Sequence, residues 1–144
     1  MVVGLGGWED HEKQLVARMP RRAPIYDAAV KALIEDIYAR GLDRQVLVVA
    51  WGEFGRTPQL SKGGRDHWPA SMSVLLAGGG MRMGQVTGTT TVRGERPRTR
   101  PLHPNDILAT IYRHLGIDLT TAFINSHGRP IPILPHGQPI AELF

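Results

Sequence analysis

Apolar and polar positions fall in blocks along this chain, and their periods name the elements. Val2, Val3 and Leu5 form a short apolar run that stops at Gly6-Gly7, which predicts a buried strand. A polar stretch, WEDHEKQ, follows as a turn. Pro20 and Pro24 bracket the approach to a helix. From Tyr26 the apolar positions Val30, Leu33, Ile34 and Ile37 recur with the period of a helix face, and Lys31, Glu35 and Asp36 fall largely off that stripe. Gly41 supplies the residue that adopts a left-handed conformation past a helix end at least cost. Val46 to Trp51, VLVVAW, is a continuous β-branched and aromatic run, which suits a strand buried on both faces as in a parallel sheet. A further buried strand is expected over Met72 to Ala77, ending in Gly78-Gly79-Gly80. A second helix is expected from Asn105 to Leu115, with the stripe Ile107, Leu108, Ile111, Tyr112 and Leu115, Pro104 near its first position and Gly116 as its stop. The tail, GRPIPILPHGQPIAELF, is punctuated by prolines and reads as an edge strand or an extended arm.

Strand, helix, strand is a βαβ unit, so the expected fold class is α/β with a mainly parallel sheet flanked by helices. Three strands and two helices make an incomplete doubly wound sheet. Residues 1–144 are therefore expected to form a single partial domain of a larger unit. Composition agrees with a packed domain, since 42% of residues are hydrophobic and 21% charged. No segment approaches the roughly 18 consecutive apolar residues of a membrane helix, so no membrane span is expected. The chain has no cysteine, so any metal must be held by His, Asp, Glu or water. Net charge is +4, carried mainly by arginine. The densest basic run, Arg93 to Arg100, is broken by glutamate and proline and lacks aromatic residues for base stacking. It reads as a solvated loop, and no nucleic-acid partner is expected.

In open α/β sheets, sites form at the carboxyl ends of the strands. Three polar clusters fall at that edge: GGWEDH with Glu9, Asp10 and His11; GEFGRTP with Glu53 and Arg56; and GRDHWP with Arg65, Asp66 and His67. Their convergence is the informative feature. Glu9, His11, Glu53 and His67 are oxygen and nitrogen donors suited to a divalent cation such as zinc, manganese, magnesium or calcium. Arg56 and Arg65 are suited to clamp a phosphate or sulfate group. A cation plus an arginine is an arrangement for hydrolysing a small anionic ester. Taken singly, each residue also has a structural reading. Glu53 can cap a helix or pair with Arg56, and Asp66 can hydrogen-bond turn amides or hold the His67 imidazole or Arg65. Trp8, Trp51 and Trp68 suit packing, His103 suits helix entry, His114 suits a structural role, and His127 and His136 suit surface turns.

GGWEDH, LVVAWGEFGRTP, GGRDHWPASMSVLLAGGG, LHPNDILATIYRHLGID and GRPIPIL together resemble the carboxyl-terminal part of the bacterial domain-of-unknown-function family 1501. The resemblance runs from about Gly6 to the end of the chain. That family is similar to the alkaline-phosphatase and sulfatase superfamily, and its members often carry a twin-arginine export signal. The resemblance implies an alkaline-phosphatase-like fold, a metal-dependent ester hydrolase and an exported protein. It implies ligand positions at Glu9 and His11, at Glu53, and at His67. Glu9 stands where the family usually has Asp, which leaves Asp10 as an alternative carboxylate. Phe54 stands where the superfamily usually has a second histidine, which argues against a full two-metal site. The superfamily's nucleophile and first acidic ligand lie in an amino-terminal half, and Ser61, Ser71 and Ser73 carry no sign of activation. The resemblance thus implies the carboxyl-terminal portion of a hydrolase that does not act alone. The alternative is a binding or interaction module that has lost the full metal site.

Overall fold

A computed structural model of the protein describes residues 4, 6–12 and 14–144. The expected first strand, at Val2, Val3 and Leu5, lies outside the described residues. The elements run in the order α1 (Gln14–Ala39), β1 (Leu47–Ala50), β2 (Gly55–Arg56), β3 (His67–Trp68), β4 (Leu75–Gly78), β5 (Thr89–Thr90), β6 (Pro97–Thr99), α2 (Pro104–His114), β7 (Ala122–Ile124) and β8 (Pro130–Pro132), with a closing 3₁₀ turn at Ala141–Leu143.

The fold is α/β, but every strand pair among the described residues is antiparallel: β1 with β4, β2 with β3, β5 with β6 and β7 with β8. Among the described residues this replaces the expected parallel pairing of VLVVAW with the strand ending in Gly78 by an antiparallel one; the expected βαβ unit starts from Val2, Val3 and Leu5, outside the described residues. A parallel pair needs a crossover that carries the chain back to its starting end, usually through a helix. No helix lies between β1 and β4, because α1 precedes β1 and the connecting residues instead form the β2–β3 ribbon. The runs LVVA and LLAG are apolar enough for a buried strand, yet such a run carries no information about direction. Ala50 pairs with Leu75, so the loop leaving β1 and the loop entering β4 share one end of the sheet. The expected convergence of GEFGRTP and GRDHWP therefore survives for a different reason.

The core gathers Met81, Ile107, Ile140 and Leu143, with Leu47, Val49, Val74, Leu76, Met83, Leu102, Ile111 and Phe144 packed against it. It thus joins the β1–β4 pair, α2 and the chain's last turn. α2 follows its sequence signals closely. His103 is the N-cap, its Nδ1 accepts from the Asn105 amide, and Pro104 stands at the first helical position. The Asp106 carboxylate accepts from the amides of His103 and Gln138 at 2.7 and 2.9 Å. Thr110, fully buried, donates to the Asp106 carbonyl at 2.7 Å and accepts from the Ile140 amide at 3.0 Å. That hydroxyl ties the tail to α2. Thr110→Val keeps the shape and leaves the buried Ile140 amide without its partner. It is expected to cost about 1–3 kcal/mol in denaturant unfolding.

α1 is longer than its pattern predicts. It starts at Gln14 and carries Pro20 and Pro24 inside it, where helix entry was expected near Tyr26. Both prolines are exposed. Each removes one helical hydrogen bond, so something outside the helix must hold this half in place. Arg22 donates to Asp10 at 3.2 Å and Arg18 lies 3.7 Å from the same carboxylate, one turn apart on one face. Asp10 is buried, so this pairing fixes α1 against the segment that carries Glu9 and His11.

The basic run Arg93 to Arg100 lies within the β5–β6 hairpin and the residues flanking it. Arg100 there is paired with Glu142, and the tail forms the β7–β8 hairpin. No helix of the described residues is long and apolar enough to cross a membrane.

Candidate metal centre

Three segments build the site, and two glycines let them meet. Residues 9–12 lie against the turn 61–64, with a bridge between Glu12 and Gly63 and a 2.9 Å bond from the Arg65 amide to the Asp10 carbonyl. A Cβ at Gly64 would sit 2.1 Å from the His11 carbonyl, and one at Gly55 would sit 1.7 Å from the Ser71 oxygen. Only glycine permits either approach. In the β2–β3 ribbon Arg56 faces His67 across the ladder, so their side chains emerge together on one face.

Glu9 is the hub. Its Oε2 accepts from His11 Nε2 at 2.6 Å and from His67 Nε2 at 2.9 Å. Arg56 donates to both of its oxygens, Nη2 to Oε1 and Nη1 to Oε2. Asp66 accepts from His11 Nδ1 at 3.0 Å, so both nitrogens of that ring face carboxylates. The two imidazoles lie 4.9 Å apart between ring centres, and Phe54 packs 4.2 Å from the His67 ring.

The electrostatics follow from this arrangement. Arg56 first, then His67 and His11, hold the Glu9 carboxyl far below the usual carboxylate range. Asp66 first, then Glu9, push the His11 imidazole up. Glu9 pushes the Arg56 guanidinium up in turn. The cluster is exposed enough that its pairing organises the site more than it stabilises the fold.

One ligand atom each from Glu9, His11 and His67 lies within 4.8 Å of the others. Donors around an ion at about 2 Å stand roughly 3–4 Å apart, so a small inward adjustment would bring these three to the spacing of a cation's ligands. Two imidazole nitrogens and one carboxylate suit zinc or manganese better than magnesium or calcium, which prefer all-oxygen sets.

Of the residues expected from the sequence, Glu9, His11, His67 and Arg56 come together. Glu53 does not join them. It is exposed and contributes only a weaker negative field at Arg56. Arg65 turns to the carbonyls of Thr57 and Pro58 at 2.5 and 2.8 Å, so its guanidinium fastens the loop after β2. Asp10, the alternative carboxylate, is committed to Arg22 and Arg18. Asp66, expected to hold its neighbour His67 or Arg65, instead faces Nδ1 of His11. Sequence reasoning missed the grip of Arg18 and Arg22 on Asp10. The one signal for it was the four-residue spacing of Arg18 and Arg22 on either side of Pro20.

No curated protein and no solved structure matches the chain. A family described as "Protein of unknown function (DUF1501)" matches residues 1–144, the whole chain and every segment of the site. The clustered Glu9, His11, Arg56 and His67 thus belong to a member of the DUF1501 family.

Proposed function

We propose that this chain is the metal-holding portion of a hydrolase for small phosphoric or sulfuric esters, in the manner of the alkaline-phosphatase and sulfatase superfamily. The observation that carries the reading is the convergence of Glu9, His11 and His67 on one point, with the Arg56 fork beside them. A set of two histidines and one glutamate is found in hydrolytic zinc sites that keep room for a reacting group. A divalent cation bound there would polarise an ester oxygen and lower the pKa of a water.

The chain's own residues supply the rest. Glu9, His11 and His67 hold the cation. Asp66 fixes the His11 ring through Nδ1, so that Nε2 points to the shared site. Arg56 offers a planar pair of N–H donors that matches two oxygens of a tetrahedral anion. Phe54 packs on His67 and limits its rotation.

The test is turnover. The natural protein that carries this chain, loaded with zinc or manganese, is expected to hydrolyse an aryl phosphate or an aryl sulfate. Arg56→Ala is expected to lower its kcat/KM by roughly a hundredfold, the scale of one lost contact to developing charge. Metal-independent rates, or rates untouched by Arg56→Ala, would refute the proposal. A second reading is a binding module that takes a cation and an anion without turnover. Glu53 lying outside the cluster favours it, as does Phe54 standing where the resemblance to the superfamily would place a histidine. Tight metal and phosphate binding with no hydrolysis of either ester would select it.

A further inference from the structure

Glu9 serves two masters, and they compete. The same carboxylate that completes the histidine pair also engages the Arg56 fork at both of its oxygens. A guanidinium paired in this way has spent its end-on pair of Nη donors, which leaves a phosphate or sulfate only the Nε side of the fork. The negative charge of Glu9 also repels any anion approaching Arg56. Asp10 and Glu53 add weaker negative field at the same guanidinium.

Arg56 cannot escape by moving its backbone. It sits in the ladder opposite His67, and Gly55 beside it is packed onto the Ser71 carbonyl. Its side chain is about three-quarters buried, at 24% exposure, whereas Glu9 is 54% exposed. What can change is the carboxylate's commitment.

We propose that Glu9 locks Arg56, and that discharging Glu9 frees the fork for a tetrahedral oxyanion. This rests on the metal reading above in one respect, that a cation held by Glu9, His11 and His67 is the natural means of discharge. Binding is then ordered: cation first, phosphate or sulfate second. The lock keeps the ion-free protein from collecting the inorganic anions that surround it, and couples anion affinity to metal occupancy.

The lock itself is testable without any metal. Inorganic phosphate is titrated calorimetrically into chelator-treated protein as wild type, Glu9→Ala, Arg56→Ala and the double variant. Glu9 is exposed, so its truncation opens no cavity, and circular dichroism checks that each variant is folded. Glu9→Ala is expected to bind phosphate roughly three- to tenfold tighter than wild type, the scale of one exposed ion pair plus the removed repulsion. The double variant is expected to lose that gain. Equal affinity in wild type and Glu9→Ala, or a gain that persists without Arg56, would overturn the proposal. In a second arm, where the wild type takes up zinc, the loaded wild type is expected to bind phosphate more tightly than loaded Arg56→Ala, and equal affinities in that loaded pair would also overturn it. A wild type that takes up no zinc, while Glu9→Ala still shows the gain, supports the lock and removes the metal reading.

Discussion

Replacing His67 by alanine is expected to strip the protein of stoichiometric zinc while leaving its fold intact. His67 sits in a two-residue strand whose register is set by backbone bonds, and its side chain is 48% exposed. Truncation therefore costs little stability, with the packing of Phe54 on the ring as the main loss. The effect on metal is large by contrast. Losing a residue that merely orients a ligand weakens metal affinity roughly 10–100-fold, so losing a ligand is expected to exceed that range. His127→Ala, in the exposed turn of the β7–β8 hairpin, is the matched control and keeps its zinc. Metal analysis after gel filtration reads both variants.

The pH dependence of zinc uptake carries a definite sign. Asp66 and Glu9 raise the His11 pKa, so protons hold His11 more tightly than usual. A ligand must be deprotonated to bind, so zinc affinity is expected to weaken as pH falls through that raised value and to level off above it, as zinc titrations across pH would read.

The second large effect comes from a residue with no side chain. Gly64→Ala is expected to lower the melting temperature and zinc affinity together. The new methyl would stand 2.1 Å from His11 carbonyl atoms and 2.3 Å from the Asp10 oxygen, all of them backbone. No rotamer change relieves that overlap, so residues 9–12 must move away from the turn 61–64. The expected cost is about 3 kcal/mol, at the upper end for overpacking. In a chain of this size that is a fall on the order of 10 °C. Glu9 and His11 ride on the displaced segment, and a metal site tolerates only about 0.5 Å of error. A variant with the wild-type melting temperature and wild-type zinc affinity would show that this contact does not position the site.

α2 could be read in the sequence because its signals were local: an apolar stripe, Pro104 at its start and Gly116 past its end. The first half of α1 could not. Pro20 and Pro24 read locally as breakers, and what holds that half is distant, the buried Asp10 carboxylate gripped by Arg18 and Arg22. Strand direction was hidden for a similar reason. Val46 to Trp51 suggests a strand buried on both faces, yet Val46 and Trp51 are exposed and Leu47–Ala50 are half-buried, and direction is set by how residues 51–74 fold between β1 and β4. At the site, residue chemistry identified Glu9, His11, Arg56 and His67 as a group. It could not tell that the Thr57 and Pro58 carbonyls claim Arg65, or that Glu53 stays in solvent. Those outcomes depend on which partner lies within reach after folding.

If Glu9, His11 and His67 form one cation site, the chain must take up zinc in a fixed ratio. Calorimetric titration of zinc into chelator-treated wild-type protein near neutral pH tests it most directly. Saturation at one zinc per chain is expected, with that uptake absent from His67→Ala. No saturable uptake by the wild type, or equal uptake by the wild type and His67→Ala, would contradict it.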